Sequence, residues 1–386
     1  MEKMITRNLN KLAKSPHIAP NATYVKHGGT HVRQVLPLTG KAAASAALIQ
    51  RIDYDMHHGE KNISQVWPWV SARVIYIERF VTAVLASDDP GFECQLDDYG
   101  RILKLTETPL GSFYFDADVL SAKLLGPGMG QTLDDYRVPL RVQIFFEVYE
   151  RHALGQFGSQ YFSQHPANRT PDGKQYLWQK FNQLIDMIRT EAVARGLKKL
   201  EIANAFRSTR NFKRMMQIVN QCFSKRRRIF VICIDVFYHA EWAEKVSVDL
   251  AKNHHATFVN RLRSLAATKK GLIGAIWKLD WAESKGHFFR WVFLFNGDDV
   301  QGTWEYEERV GDLWKEIVPK GAGDTLLLND KEHMKECTGM IDMDENPEKF
   351  EIFVESIIHY FAHKDQLLCI KRESGTRTWD SLMPGD

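Results

Sequence analysis

Residues 271–296, GLIGAIWKLDWAESKGHFFRWVFLFN, decide how the fold is read. Aromatic and aliphatic residues dominate both ends, and Glu283-Ser284-Lys285-Gly286 separates them over a length that suits a hairpin turn. The stretch therefore predicts two strands, 271–281 and 287–296. Upstream, residues 229–238 form a β-branched, aromatic strand broken by Asp235. Residues 242–268 have helical periodicity, with Val246, Leu250, Phe258, Leu262 and Leu265 on the inner face. Downstream come a helix at 306–318, a short strand at 339–343 and a helix at 347–364 with Pro347 in its first turn. The order β-α-β-β-α-β-α predicts an α+β chain whose residues 205–386 make an antiparallel, ferredoxin-like split βαβ palm with one added helix. Many functions share that scaffold, so it decides none.

The first two hundred residues are less telling. Residues 1–45 are polar and turn-rich and read as a loosely attached arm. Residues 46–200 read as a mainly helical domain. Helices are expected over 46–88, interrupted at Trp67-Pro68-Trp69, and again at 133–154 and 174–196. A turn-and-strand region with alternating Phe113-Tyr114-Phe115 falls between them. Asp53, Asp55, His57 and His58 are too loosely spaced for a metal cluster and read as a solvated face.

Composition is that of an ordinary globular chain: 386 residues, 44% hydrophobic, 26% charged, formal charge +3. Cys94, Cys222, Cys233, Cys337 and Cys369 are scattered without a CxxC pair, which argues against a disulfide framework or a cysteine zinc site and for a reducing cytoplasm. The first residues, MEKMITR, lack an apolar core, and no uncharged run approaches the roughly 18 residues of a membrane span, so neither secretion nor a membrane is expected. With so small a net charge, any nucleic-acid surface must be local. Arg207, Arg210, Lys213, Arg214, Lys225, Arg226, Arg227 and Arg228 lie in a span without an acidic residue. Phe212, Met215, Met216, Val219, Cys222 and Phe223 form the apolar stripe there, which leaves the first four cations off the core face. Such a run reads either as a solvated face or as a phosphate-contacting patch.

In the last helix, Phe350, Phe353, Val354, Ile357, Ile358 and Phe361 mark one buried face. Tyr360 sits beside it, with His363 and Lys364 one turn on.

These segments resemble the inovirus (filamentous-phage) gene II-type replication protein family and the YagK/YfjJ C-terminal domain, a divergent branch of the HUH-type replication initiators. The resemblance covers residues 205–386. It rests on Ile232-Cys233-Ile234-Asp235-Val236-Phe237-Tyr238, Phe293-Leu294-Phe295-Asn296-Gly297, Gly302 with Trp304 and Trp314, and Gly339-Met340-Ile341-Asp342. Tyr360-Phe361-Ala362-His363-Lys364-Asp365-Gln366 and Gly375-Thr376-Arg377-Thr378-Trp379 complete it. It implies a DNA-binding, replication-initiating protein of a phage or integrated element, with single-stranded or origin DNA as partner. It further implies Tyr360 as the nucleophile toward a phosphodiester, with His363 and Lys364 assisting, and Mg²⁺ or Mn²⁺ as cofactor. A phenol ionises near pH 10 and attacks an anion poorly, so a divalent ion that polarises the phosphate answers both difficulties.

The chain departs from the family's strand motif. Phe288 and Arg290 stand where two histidines are usual, and His287 alternates to the opposite face unless a bulge at Gly286 brings it back. Asp235 and His287 remain as candidate metal ligands, and Arg290 as a direct phosphate contact. Three readings follow: an initiator that nicks through Tyr360, a degenerate relative that binds nucleic acid without cutting, and a protein-interaction module in residues 46–200 on a palm scaffold.

Overall fold

The computed structural model describes residues 5–8, 17–26, 40–57, 69–116, 136–157, 164–264, 271–282, 284–300, 304–370 and 376–383. They are α+β and divide into two compact units, Met1–Ala47 with Pro68–Ala203 and Leu48–Trp67 with Asn204–Asp386. Among them, no helix is long and apolar enough to cross a membrane.

The first unit contains a four-stranded sheet ordered Ile5–Asn8, Ile18–Lys26, Ile102–Glu107, Phe92–Leu96. The two inner strands run parallel and the other pairs antiparallel. The expected loose arm is therefore corrected over 18–26: Ile18, Ala19, Ala22, Tyr24 and Val25 are buried, and Tyr24 Oη donates to Glu107 at 2.6 Å. Pro20 hides this strand from a pattern reading, because proline cannot donate to a ladder; the register shifts between Ile18 and Thr23 around it. Phe113-Tyr114-Phe115 lies in a 3₁₀ turn, Leu110–Asp116, rather than a strand. Helices Trp69–Ala86, Leu140–Arg151 and Leu177–Ala194 supply Phe80, Phe145 and Phe181 to the aromatic core with Phe92 and Tyr114.

The second unit is organised by the strand Arg228–Tyr238. One edge pairs antiparallel with Gly286–Asn296, which pairs with Leu272–Ala282, which in turn pairs with Trp379–Leu382. The other edge pairs with Gly323–Leu327 toward one end and Gly339–Asp342 toward the other. The strands Gly323–Leu327 and Trp379–Leu382 are short or polar, and the alternation pattern did not reveal them. The strands flanking the predicted hairpin pair down to Ala282 with Gly286; Lys285 N–H donates to Ala282 O at 3.1 Å, and Gly286 turns at φ +62°. A side chain at Gly286 would also collide with the Ala243 carbonyl.

Alternation sorts this sheet into two faces. Ile232, Ile234, Val236, Tyr238, Phe289, Trp291, Phe293 and Phe295 pack with Phe258 and Leu262 of the helix Val248–Ser264, and with Leu313 and Trp314 of the helix Trp304–Ile317. The first of these helices differs from its expected core face. Leu250 is exposed and Ala251 and His255 turn inward, because a separate short helix, Ala240–Ala243, precedes it and resets its phase; Leu265 lies outside the described residues. The opposite sheet face presents Cys233, Asp235, Arg290, Val292, Lys278 and Asp280, and it holds the candidate site.

Candidate functional site

Three strands place one charged residue each on the same level of the sheet. Asp235 pairs with Arg290, and Arg290 with Lys278. Arg290 grips Asp235 with both ends of its fork, Nε to Oδ1 at 2.7 Å and Nη2 to Oδ2 at 3.1 Å, and Lys285 Nζ reaches Asp235 Oδ2 at 3.0 Å. Asp235 is fully buried. Burial alone would raise its pKa, but the Arg290 and Lys285 charges overcome that and hold the carboxyl below its ordinary value.

The helix from Pro347 to Leu367 passes through a π turn, Val354–His359, immediately before Tyr360, the kind of irregularity that recurs at functional sites. Tyr360 lies in the core rather than beside it, 1% exposed. Its Oη donates to Asp55 Oδ2 at 2.7 Å, and Arg290 Nη1 donates to the same oxygen at 3.2 Å. Lys364 Nζ lies 3.2 Å from Tyr360 Oη and pairs with Asp280, whose other oxygen accepts the Trp281 N–H at 2.8 Å. The Arg51 guanidinium covers the Tyr360 ring at 4.2 Å, and its Nη1 donates to Ser356 O at 2.6 Å. On the level of Arg290, Lys278 pairs with Asp365, which also accepts from Thr378 Oγ1 at 2.6 Å.

These neighbours set the ionisation of the site. Burial, then the Asp55 and Asp280 charges, push the Tyr360 phenol well above its ordinary pKa. Burial opposes ionisation of Asp55, yet Arg290, Lys364 and Arg51 together hold it below the ordinary value as a carboxylate. Tyr360 is thus a neutral phenol donating to an ionised carboxylate.

The structure brings Asp235, Arg290, Tyr360 and Lys364 together. Two expected members lie elsewhere. His363 turns away from Tyr360: its Nδ1 is 2.9 Å from His359 O, and its ring stacks on His359 and approaches Phe212. Lys364, four residues after Tyr360 and so on the same helix face, provides the ammonium instead. His287 pairs with Trp281 and alternates to the face opposite Arg290, so it cannot share an ion with Asp235.

Nor do the carboxylates around Tyr360 suit Mg²⁺ or Mn²⁺, because Asp235, Asp55 and Asp280 each already face a basic side chain. Among the described residues, no group of three or more histidine, cysteine, aspartate or glutamate side chains converges.

Asp55 and Arg51 are the members that pattern reading missed. Asp53 and Asp55 looked like a solvated face, yet Asp53 is 3% exposed and the Asp55 side chain 10%. The His57 side chain and His58 lie outside what is described. A local signal did exist for Lys278 and Asp280, two charges on one face of an otherwise apolar strand.

The basic segment has a different character. Arg207, Arg210, Lys213, Arg214 and Lys225 lie on the helix Leu197–Lys225, all exposed, while Met215, Val219, Cys222 and Phe223 are buried. Arg210, Lys213 and Arg214 line a shallow cleft of about 440 Å³ with Thr209, Gln217 and Phe206, whose ring is 71% exposed. Past the helix, tertiary structure supplies acids that the local sequence lacks. Arg227 is bound by Asp344 at 2.5 Å, and Arg228 is 3.5 Å from Asp298 and 3.9 Å from Asp342.

No protein-family model, curated protein or solved structure matches the chain.

Proposed function

We propose that this chain is a nucleic-acid-binding protein of the replication-initiator type, built on a palm whose tyrosine site is closed in the form described above. The observation that carries the reading is the cleft around Phe206. Arg210, Lys213 and Arg214 stand exposed there beside an exposed aromatic ring, with Arg207 exposed on the same helix, and no carboxylate pairs with any of the four among the described residues. Cations that track a backbone, next to a ring that accepts a base, are what single-stranded DNA needs, and such binding tolerates any sequence. On a chain of formal charge +3 the concentration is local.

The connectivity supports the palm. The central strand leads through the helix Val248–Ser264 to Leu272–Ala282, and Gly286–Asn296 returns between them. After the helix Trp304–Ile317, Gly323–Leu327 takes the other edge of the central strand. That is the order of a split βαβ unit.

Binding without cutting is the form of the proposal favoured at Tyr360. A buried neutral phenol engaged with a carboxylate is neither reachable nor activated, and the carboxylates beside it are held by cations rather than offered to a metal. The test is an anisotropy titration of a labelled single-stranded oligonucleotide with wild type and with Arg210→Gln/Lys213→Gln/Arg214→Gln. The variant is expected to lose about tenfold or more in affinity at low salt; equal affinities, or none in either protein, overturn the reading.

A further inference from the structure

We propose that Asp55 is an internal stand-in for a phosphate, and that residues 48–57 plug an anion site formed by Arg290, Tyr360 and Lys364. The inference rests on the nucleic-acid reading above and deepens it, because it says what opens the tyrosine site and what enters.

The argument begins with charge. Arg51, Lys278, Lys285, Arg290 and Lys364 face Asp235, Asp280, Asp365 and Asp55. Asp235, Asp280 and Asp365 belong to the sheet and to the tyrosine helix, and each has its own cation there. Asp55 alone comes from a different part of the chain, the helix Gly40–His57. Without it, Arg290 keeps only Asp235 and the phenol loses its acceptor. The remainder is a fork-shaped guanidinium and a hydroxyl donor that both reach the position of the Asp55 oxygen, with an ammonium 3.2 Å from the hydroxyl. That donor set fits a phosphate or phosphodiester, since guanidinium forks match tetrahedral oxyanions.

Asp55 occupies this point as an anion would, with one oxygen accepting from both Tyr360 Oη and Arg290 Nη1. Its position is poor for its own helix. It falls in the last turn of Gly40–His57, where the helix dipole disfavours a negative charge. The site holds it there, and a competing phosphate would release it.

Asp55→Asn keeps the shape and removes the charge. Inorganic phosphate and a labelled single-stranded oligonucleotide serve as separate probes, with circular dichroism confirming the fold. Asp55→Asn is expected to bind phosphate about tenfold tighter than wild type, and the gain should vanish in Asp55→Asn/Arg290→Gln. No gain, or a gain that survives loss of Arg290, overturns the plug. In wild type, hydrogen exchange across residues 48–57 is expected to quicken with saturating phosphate or oligonucleotide; unchanged or slowed exchange overturns it, and this arm holds even where Asp55→Asn does not fold. Phosphate binding gained in Asp55→Asn without oligonucleotide affinity in either protein supports the anion site while refuting the nucleic-acid reading. Oligonucleotide binding with no response at Asp55 or at residues 48–57 does the reverse.

Discussion

Tyr360 and Asp55 are 305 positions apart, yet the Tyr360 hydroxyl donates to an Asp55 carboxylate oxygen at 2.7 Å. That bond ties the helix Gly40–His57 to the strand and helix that make up the rest of the site, because the same oxygen accepts from Arg290.

The buried ion pair beneath it should behave as a unit. Asp235→Asn removes the charge facing Arg290 and is expected to cost about 3–5 kcal/mol, since a buried guanidinium then keeps only part of its compensation. Asp235→Leu/Arg290→Met should cost clearly less than Asp235→Leu and Arg290→Met added together, these singles and the double making the cycle. Urea unfolding of these variants checks this; strict additivity would show that the pair is not coupled.

Acid should loosen the second unit through His255. This side chain is 4% exposed, stacks on Phe289 at 3.7 Å between centroids, and has a buried Nε2 without a hydrogen-bond partner. Burial lowers its pKa from 6.5 to about 3. Between those values the unfolded chain binds a proton that the folded one does not, so stability falls as pH drops through that window, by about 1.4 kcal/mol per pH unit. His255→Phe keeps the ring and removes the proton site. Its melting temperature should exceed that of wild type near pH 4, with a smaller difference at pH 8; a constant difference would assign the acid loss to other groups.

Binding of single-stranded DNA should depend steeply on salt. If about four cations on the helix Leu197–Lys225 meet phosphates, log K should fall against log salt with a slope of roughly −3. Arg210→Gln/Lys213→Gln/Arg214→Gln should bring that slope toward −1. Arg227→Gln should change it little, because Asp344 already neutralises that side chain. A slope that responds only to Arg227 would move the interface off the helix.

Wild type incubated with a single-stranded oligonucleotide and millimolar Mg²⁺ or Mn²⁺ should form no covalent adduct under denaturing electrophoresis, because the phenol is buried and protonated. An adduct that disappears in Tyr360→Phe would restore the nicking initiator as the correct reading. One that persists would place the nucleophile elsewhere.

Much of the second unit was legible from local pattern. The two hairpin strands, the Asp235 strand and the helix Trp304–Ile317 announce themselves through alternation and 3.6-residue rhythm, which depend on neighbours a few positions away. The same logic put Arg290 on one face of its strand and His287 on the other. Where the pattern was weak, the reading failed: Pro20 masked a buried strand, and Gly323–Leu327 was too short and polar to stand out.

What the sequence determined by itself, then, is which side chains share a face of a strand, because the alternation of the backbone sets that within each strand. Which charges meet was decided only by the tertiary structure. Asp55 in a His- and Asp-rich stretch looks solvated, and Arg227 in a basic run looks uncompensated, until folding brings Tyr360 and Arg290 to the one and Asp344 to the other. An ionic partner is chosen by proximity and desolvation in space, and neither quantity is written in the spacing of residues along the chain.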